Sequence, residues 1–323
     1  MNRSRREPLR IALIGAGNRA SGPHYASLTK IRGVRIVAIA DHDKPALDLM
    51  SEKLGIQFRY TDYVKMLEQE RPDMAYLISV PHQAYDAAAT VLESGCHLIH
   101  KEPPGITSEQ TRQLIRLAES NDVLTGVPFH RRFSPVIRRG KTLCEVRGQI
   151  HSAVATFYKH SISGKPYYLG GTDMLSCDAI HAVDTVRYLC GGEVESVASD
   201  VRRKNADYRN IHLAVIRFSS GATGIILTNW LAGCRMFTAE AHAPGISFFG
   251  DPEEGGCIFA DGNNLPVQQL DAGEEVDHPF GYGIKEVHEH IIDSFRRDCE
   301  PETSFQDVLK IMQLLDDIRD SQI

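Results

Sequence analysis

No apolar run in the chain approaches the ~20 residues that a membrane-crossing helix requires, and the sequence contains no internal repeat and no low-complexity tract. The basic N-terminus, Met-Asn-Arg-Ser-Arg-Arg-Glu-Pro, lacks the apolar stretch of a secretion signal, so export is not expected. Seven cysteines are scattered, odd in number and never spaced C-x-x-C. That usage excludes a disulfide framework and a structural zinc site, and predicts reduced thiols in a cytoplasmic protein. No metal site is expected. Positive charge is also in short supply: the formal net charge is −6, and the basic clusters at 3–6, 131–132 and 138–141 are outweighed elsewhere. A nucleic-acid partner is therefore not expected. What remains is an ordinary globular composition, 42% hydrophobic and 24% charged, and a length of 323 residues, which suits two domains.

The strongest local pattern lies at the start. Leu9-Arg-Ile-Ala-Leu-Ile-Gly-Ala-Gly-Asn-Arg-Ala20 is an apolar strand running into a G-x-G-x-x-A turn. Gly15 suits a tight strand-to-helix turn, Gly17 lets backbone approach a pyrophosphate, and Ala20 lets the helix pack closely on the strand. The N–H groups at the helix start, including those of Asn18 and Arg19, then face the anion. A second apolar strand, 34–40, ends in Asp41. An acid there hydrogen-bonds the ribose hydroxyls of NAD and repels the 2′-phosphate of NADP. The same residue also suits a helix N-cap, and Arg19 and His42 keep NADP open as the cofactor.

Strands are predicted at 10–15, 34–40, 74–80, 97–100 and 123–127, alternating with helices at 20–30, 44–54, 61–69, 83–94 and 107–120. This βαβ repetition predicts a doubly wound parallel sheet, a Rossmann domain, over 1–128. The pattern changes after Phe129. A helix ending near 143, a strand at 149–159 and a helix at 173–190 precede short alternating runs at 194–203, 211–219, 223–231, 235–242, 245–249 and 256–260, with helices at 283–298 and 304–321. Residues 129–323 are thus expected to form an α+β domain with a large, mostly antiparallel sheet, whose uncovered face favours a homo-dimer or homo-tetramer.

In order and spacing these residues resemble the glucose–fructose oxidoreductase/inositol dehydrogenase (Gfo/Idh/MocA) family. The resemblance covers nearly the whole chain. It rests on Gly15-Ala-Gly17, Asp41, Ser79-Val-Pro81, Gly95-Cys-His-Leu-Ile-His-Lys-Glu-Pro103, Arg132-Phe-x-Pro135, Gly170-Gly171 before Cys177-Asp178-x-x-His181-x-x-Asp184, and Pro301-x-Thr-Ser304. It implies an NAD(P)-dependent dehydrogenase or reductase acting on a sugar, inositol or related polyol. Ser79, Pro81, His82 and Lys101 would join Gly15, Gly17, Asn18, Arg19, Asp41 and His42 at the cofactor. Two alternatives belong to the same resemblance: a glycosidase that uses NAD transiently, and a non-catalytic sugar or nucleotide sensor.

The chain departs from the family at two motifs. Family Glu-Lys-Pro reads Lys101-Glu102-Pro103, placing Glu102 where the family lysine contacts the reacting oxygen. Neighbouring side chains of an extended backbone point to opposite faces, so either the backbone bends to bring Lys101 in or Glu102 replaces it. In the second motif His181 matches the family's proton-transferring histidine, but Cys177 stands where an aspartate is common, with Asp178 beside it. Asp178 or Asp184 is expected to orient the imidazole or to grip a neighbouring substrate hydroxyl, and Arg132, Tyr158, His160 and Asp184 are candidate substrate contacts.

Overall fold

Among the described residues up to 126, strands and helices alternate. They are β1 (Leu9–Ile14), α1 (Ser21–Thr29), β2 (Val34–Ala40), α2 (Lys44–Leu54), β3 (Arg59–Tyr60), α3 (Tyr63–Glu70), β4 (Met74–Leu77), α4 (Pro81–Glu93), β5 (His97–His100), α5 (Ser108–Ser120) and β6 (Thr125–Gly126). The structure is a computed structural model that describes residues 8–17, 21–161, 167–272 and 282–321. All pairings in this sheet are parallel and its order is β3-β2-β1-β4-β5-β6. β1, β4 and β5 are buried almost throughout, as strands covered on both faces must be. Caps delimit the helices: the Asp43 carboxylate accepts from the Ala46 N–H at 3.3 Å, and the Thr107 hydroxyl accepts from the Gln110 N–H at 3.2 Å. The start expected at 61 is shifted, because Asp62 caps α3.

The rest of the chain supplies α6 (Pro135–Arg147), β7 (Ser152–His160), a π-helical turn (Leu175–Ala179) running into α7 (Ile180–Cys190), β8 (Val194–Arg202), β9 (Ile211–Phe218), β10 (Thr223–Asn229), β11 (Leu231–Ala243), β12 (Ile246–Asp251), β13 (Gly255–Ala260), β14 (Gln268–Leu270), α8 (Ile284–Arg296) and α9 (Phe305–Asp320). The second sheet runs β14-β13-β12-β11-β7-β10-β9-β8 and is antiparallel except for β7 with β10. Burial alternates residue by residue along β9 and β10, so one face is core and the other is not. α6 and α7 cover the core face.

The chain separates into two units, residues up to 128 with 284–309, and residues 129–283 with 310–323. The segment 284–309 thus belongs with the first unit, although it follows the second in sequence, and the expected span 129–323 is corrected accordingly. The physical reason is packing. Ile291 of α8 lies so close to Gly126 that a Cβ there would sit 2.9 Å from it. His288 of α8 reaches the Tyr76 hydroxyl at 3.1 Å and the Ser27 hydroxyl at 3.3 Å. Both contacts cover β4, β6 and α1, surface that α1 to α5 leave open.

Candidate active site

In the first unit, a cleft of about 620 Å³ opens at the carboxyl ends of β1, β2 and β4, where the strand order reverses direction. Open α/β sheets bind ligands at this position. Gly15 forms the turn. Its φ is +99°, and a Cβ there would lie 1.8 Å from the Ile78 carbonyl oxygen, so the position excludes any side chain. The Tyr25 hydroxyl, buried on α1, donates to the Gly15 carbonyl at 2.7 Å and fixes the turn from behind. Gly17 and Asp41 line the cleft together. One Asp41 carboxylate oxygen accepts from the Ala16 N–H at 2.5 Å, and the other accepts from the Asp43 N–H at 2.8 Å with the exposed His42 ring at 3.5 Å. Asp41 therefore ties the end of β2 to the glycine turn and still borders the cleft.

Ser79, Val80 and His82 form the opposite wall. Pro81 is the buried first residue of α4, and the wall passes from Val80 to His82. Asn18, Arg19 and Ala20 lie outside the described residues. The glycine cradle, the carboxylate at the rim and the helix that begins beyond the turn fit a dinucleotide.

Lys101 and Glu102 follow β5. The Lys101 N–H still donates to the Leu77 carbonyl at 3.0 Å, extending the ladder by one residue. The Glu102–Pro103 peptide that follows is cis. The Lys101 ammonium meets the Glu102 carboxylate at 2.9 Å, with 24% of the lysine and 2% of the glutamate side chain exposed. Just before them, the His100 ring donates from Nδ1 to the Lys101 carbonyl at 2.5 Å, and burial pushes its pKa down to about 4.

In the second unit, His181 opens α7 and is buried. Its ring sits in an aromatic notch, with the His130 ring 4.9 Å away and Phe129 5.9 Å away, both edge-on. His130 also contacts Tyr282 at 5.4 Å. Asp178 lies on the π-helical turn and pairs with Lys159 of β7 at 2.5 Å. Asp184 pairs with Arg132, whose Nε donates to both carboxylate oxygens at 3.1 and 3.3 Å. The pair is buried, with 4% of the arginine and 1% of the aspartate side chain exposed.

Tyr158 and His160 flank Lys159 on β7. Side chains alternate along a strand, and Lys159, between them, faces the turn that leads into α7. Tyr158 and His160 thus occupy the opposite face of the sheet, where the His160 ring lies 3.0 Å from the Ala232 carbonyl. Among the described residues, no group of acidic, histidine and cysteine side chains forms a metal site.

Residues 9–129 match the model of an oxidoreductase family with an NAD-binding Rossmann fold, and residues 145–251 match the Gfo/Idh/MocA C-terminal domain. The chain belongs to the Gfo/Idh/MocA oxidoreductase family. Curated relatives in that family include D-glucoside 3-dehydrogenase of Escherichia coli, 28% identical over 57% of this chain and 54% of that protein. Another is myo-inositol 2-dehydrogenase of Thermotoga maritima, 26% identical over 68% of this chain and 67% of that protein. A third, scyllo-inositol 2-dehydrogenase (NAD(+)) of Bacillus subtilis, is 25% identical over 67% of this chain and 66% of that protein. The matched stretch thus spans about half the length of the first relative and about two thirds of the others. The solved structures of a dehydrogenase from Chromobacterium violaceum and of levoglucosan dehydrogenase in complex with NADH share the fold. The first has a TM-score of 0.88 at 20% identity, covering 97% of this chain and 95% of that one. The second has a TM-score of 0.87 at 19% identity, covering 97% and 96%.

Against the Gfo/Idh/MocA pattern, the sequence reading missed three residues. Tyr25 braces the glycine turn. Lys159 holds Asp178. Arg131 is buried in an aromatic cage, its guanidinium carbon 4.0 Å from the centre of the Phe237 ring, 4.9 Å from Phe157 and 5.1 Å from Tyr282.

Proposed function

We propose that this chain is an NAD-dependent dehydrogenase of a sugar, an inositol or a related polyol, with His181 as the proton-transferring base. The carrying observation is the cleft at the reversal point of the parallel sheet, cradled by Gly15 and bordered by Asp41. Asp41 at its rim supports NAD over NADP, since a second anion beside a carboxylate is repelled. When bound, NAD supplies the hydride acceptor.

The protein's residues supply proton transfer and charge. His181 takes the hydroxyl proton of the alcohol, a task suited to an imidazole near neutral pH. Phe129 and His130 hold its ring in one orientation. At the end of β5, Lys101 carries the charge suited to a reacting oxygen, and Glu102 holds the ammonium in place.

Seven cysteines with no disulfide among them support a cytoplasmic protein. No described helix is long and apolar enough to cross a membrane. Self-association through the second sheet is supported by Leu213, Val215, Met236 and Phe249, all exposed on the side opposite α6 and α7.

The test is cofactor reduction across a panel of aldoses, inositols and polyols, with His181→Ala as the comparison. The expected result is turnover by the parent and a loss of roughly a hundredfold or more in the variant, with NAD binding retained. A silent panel with NAD bound favours the transient-oxidation glycosidase or the sensor. Unchanged turnover by His181→Ala removes that residue from the scheme.

A further inference from the structure

The turn that leads into α7 is anchored twice. Asp173, just before the turn, accepts from Arg319 of α9 in a two-point contact at 2.8 and 3.1 Å, and from the Ser176 N–H at 2.8 Å. Arg319 also reaches the Ser176 hydroxyl. This rigid fork fastens the turn.

The second anchor is Lys159 with Asp178, and it differs in kind. A lysine is a mobile point charge with three donors, of which one is given to Asp178. Its other two have no hydrogen-bond acceptor among the described residues; the rings of Phe157 and Trp230 lie 5.2 and 6.0 Å away. About a quarter of each side chain is exposed, 25% and 22%, unlike the sealed Arg132–Asp184 pair at 4% and 1%. Part-exposed pairs of this sort contribute little to stability. Position adds the second element. Asp178 lies three residues before His181, on the turn that runs directly into α7. The segment at Asp178 is π-helical, a distortion that widens the helix and recurs at functional sites.

We propose that the Lys159–Asp178 pair grips two neighbouring hydroxyls of a polyhydroxylated substrate, the ammonium donating to one oxygen and the carboxylate accepting from the other. This rests on the dehydrogenase reading, which it sharpens toward substrates that carry a second hydroxyl next to the one His181 deprotonates. A simple alcohol with a single hydroxyl would forgo the grip.

The experiment compares the parent with Lys159→Met, Asp178→Asn and Lys159→Arg. It uses steady-state kinetics on myo-inositol, hexoses and a mono-alcohol of similar size, and calorimetric binding of myo-inositol and glucose in the presence of NADH. Lys159→Met is expected to raise KM for diol-bearing substrates roughly tenfold to a hundredfold, with NADH affinity and thermal unfolding unchanged and Lys159→Arg partly restored. Parent-like KM and parent-like sugar affinity in Lys159→Met would overturn the proposal, as would a fall in melting temperature with unchanged KM. If the parent turns over nothing yet binds a sugar that Lys159→Met does not, the grip stands and the dehydrogenase reading falls. If the parent binds no sugar or polyol at all, the grip falls.

Discussion

Arg132 and Asp184 form an ion pair sealed inside the second unit, joining the turn before α6 to the middle of α7. A charge pair in that position is poor evidence for net stabilisation, but breaking it is costly, because the surviving charge stays buried. Asp184→Asn leaves the Arg132 guanidinium without its counter-ion and is expected to cost about 3–5 kcal/mol. Urea unfolding of the parent and variant checks this. A loss below about 1 kcal/mol, the range of an exposed pair, would show that water reaches the site.

Gly15 allows a still more local test. Alanine there would adopt a disfavoured φ and place its Cβ against the Ile78 carbonyl oxygen. Gly15→Ala is expected to destabilise the first unit by about 3 kcal/mol or more and to abolish NAD binding. Thermal unfolding with and without NAD reads both effects. A variant that still gains stability from NAD would show that the turn can move.

Asp41 serves both the turn and the cleft. Asp41→Ser keeps an acceptor for the Ala16 N–H but removes the charge. NAD affinity is expected to fall roughly tenfold, with NADP affinity rising relative to it. Dissociation constants for the two dinucleotides, measured side by side, decide the matter. An unchanged ratio would return Asp41 to a purely structural role.

Acid should destabilise both units. Burial lowers His100 in the first unit and His212 in the second to about 4, and His288 well below its ordinary value of 6.5. A histidine whose folded-state pKa is depressed binds its proton more readily when unfolded. Its contribution is therefore complete above about pH 6.5 and is lost as the pH falls toward 4, each tenfold difference in proton affinity between the two states being worth about 1.4 kcal/mol. Urea midpoints measured from about pH 7.5 down to about 4.5 should fall steeply, and His212→Gln should flatten the slope. A flat profile would mean that these rings stay solvated.

Most of the fold is legible in the sequence because period and punctuation agree. The alternation of 211–219 and 223–231, the mostly apolar run at 34–40 and the cap at Thr107 all state their structure locally. β3 and β14 escape because strands of two and three residues have no period to read. The site is legible only where a motif spans a few residues, as at Gly15, Asp41 and His181. Lys159 is one cation in an alternating strand, and its parity is set by Asp178, nineteen positions on. Without that partner in view, the sequence does not tell which face of the strand Tyr158 and His160 share. Arg131 reads only as part of the basic cluster 131–132, because its cage is built from Phe157, Phe237 and Tyr282, far along the chain.

The division of the chain has a consequence for synthesis. α8 covers Gly126 through Ile291 and reaches Tyr76 through His288, yet it is translated after every strand of the second sheet. The parallel sheet emerges from the ribosome first and matures last, with an apolar flank waiting for its cover through more than 150 residues of elongation. Expressing residues 1–128 alone should give an aggregating fragment, whereas grafting 284–309 onto it through a short linker should restore solubility.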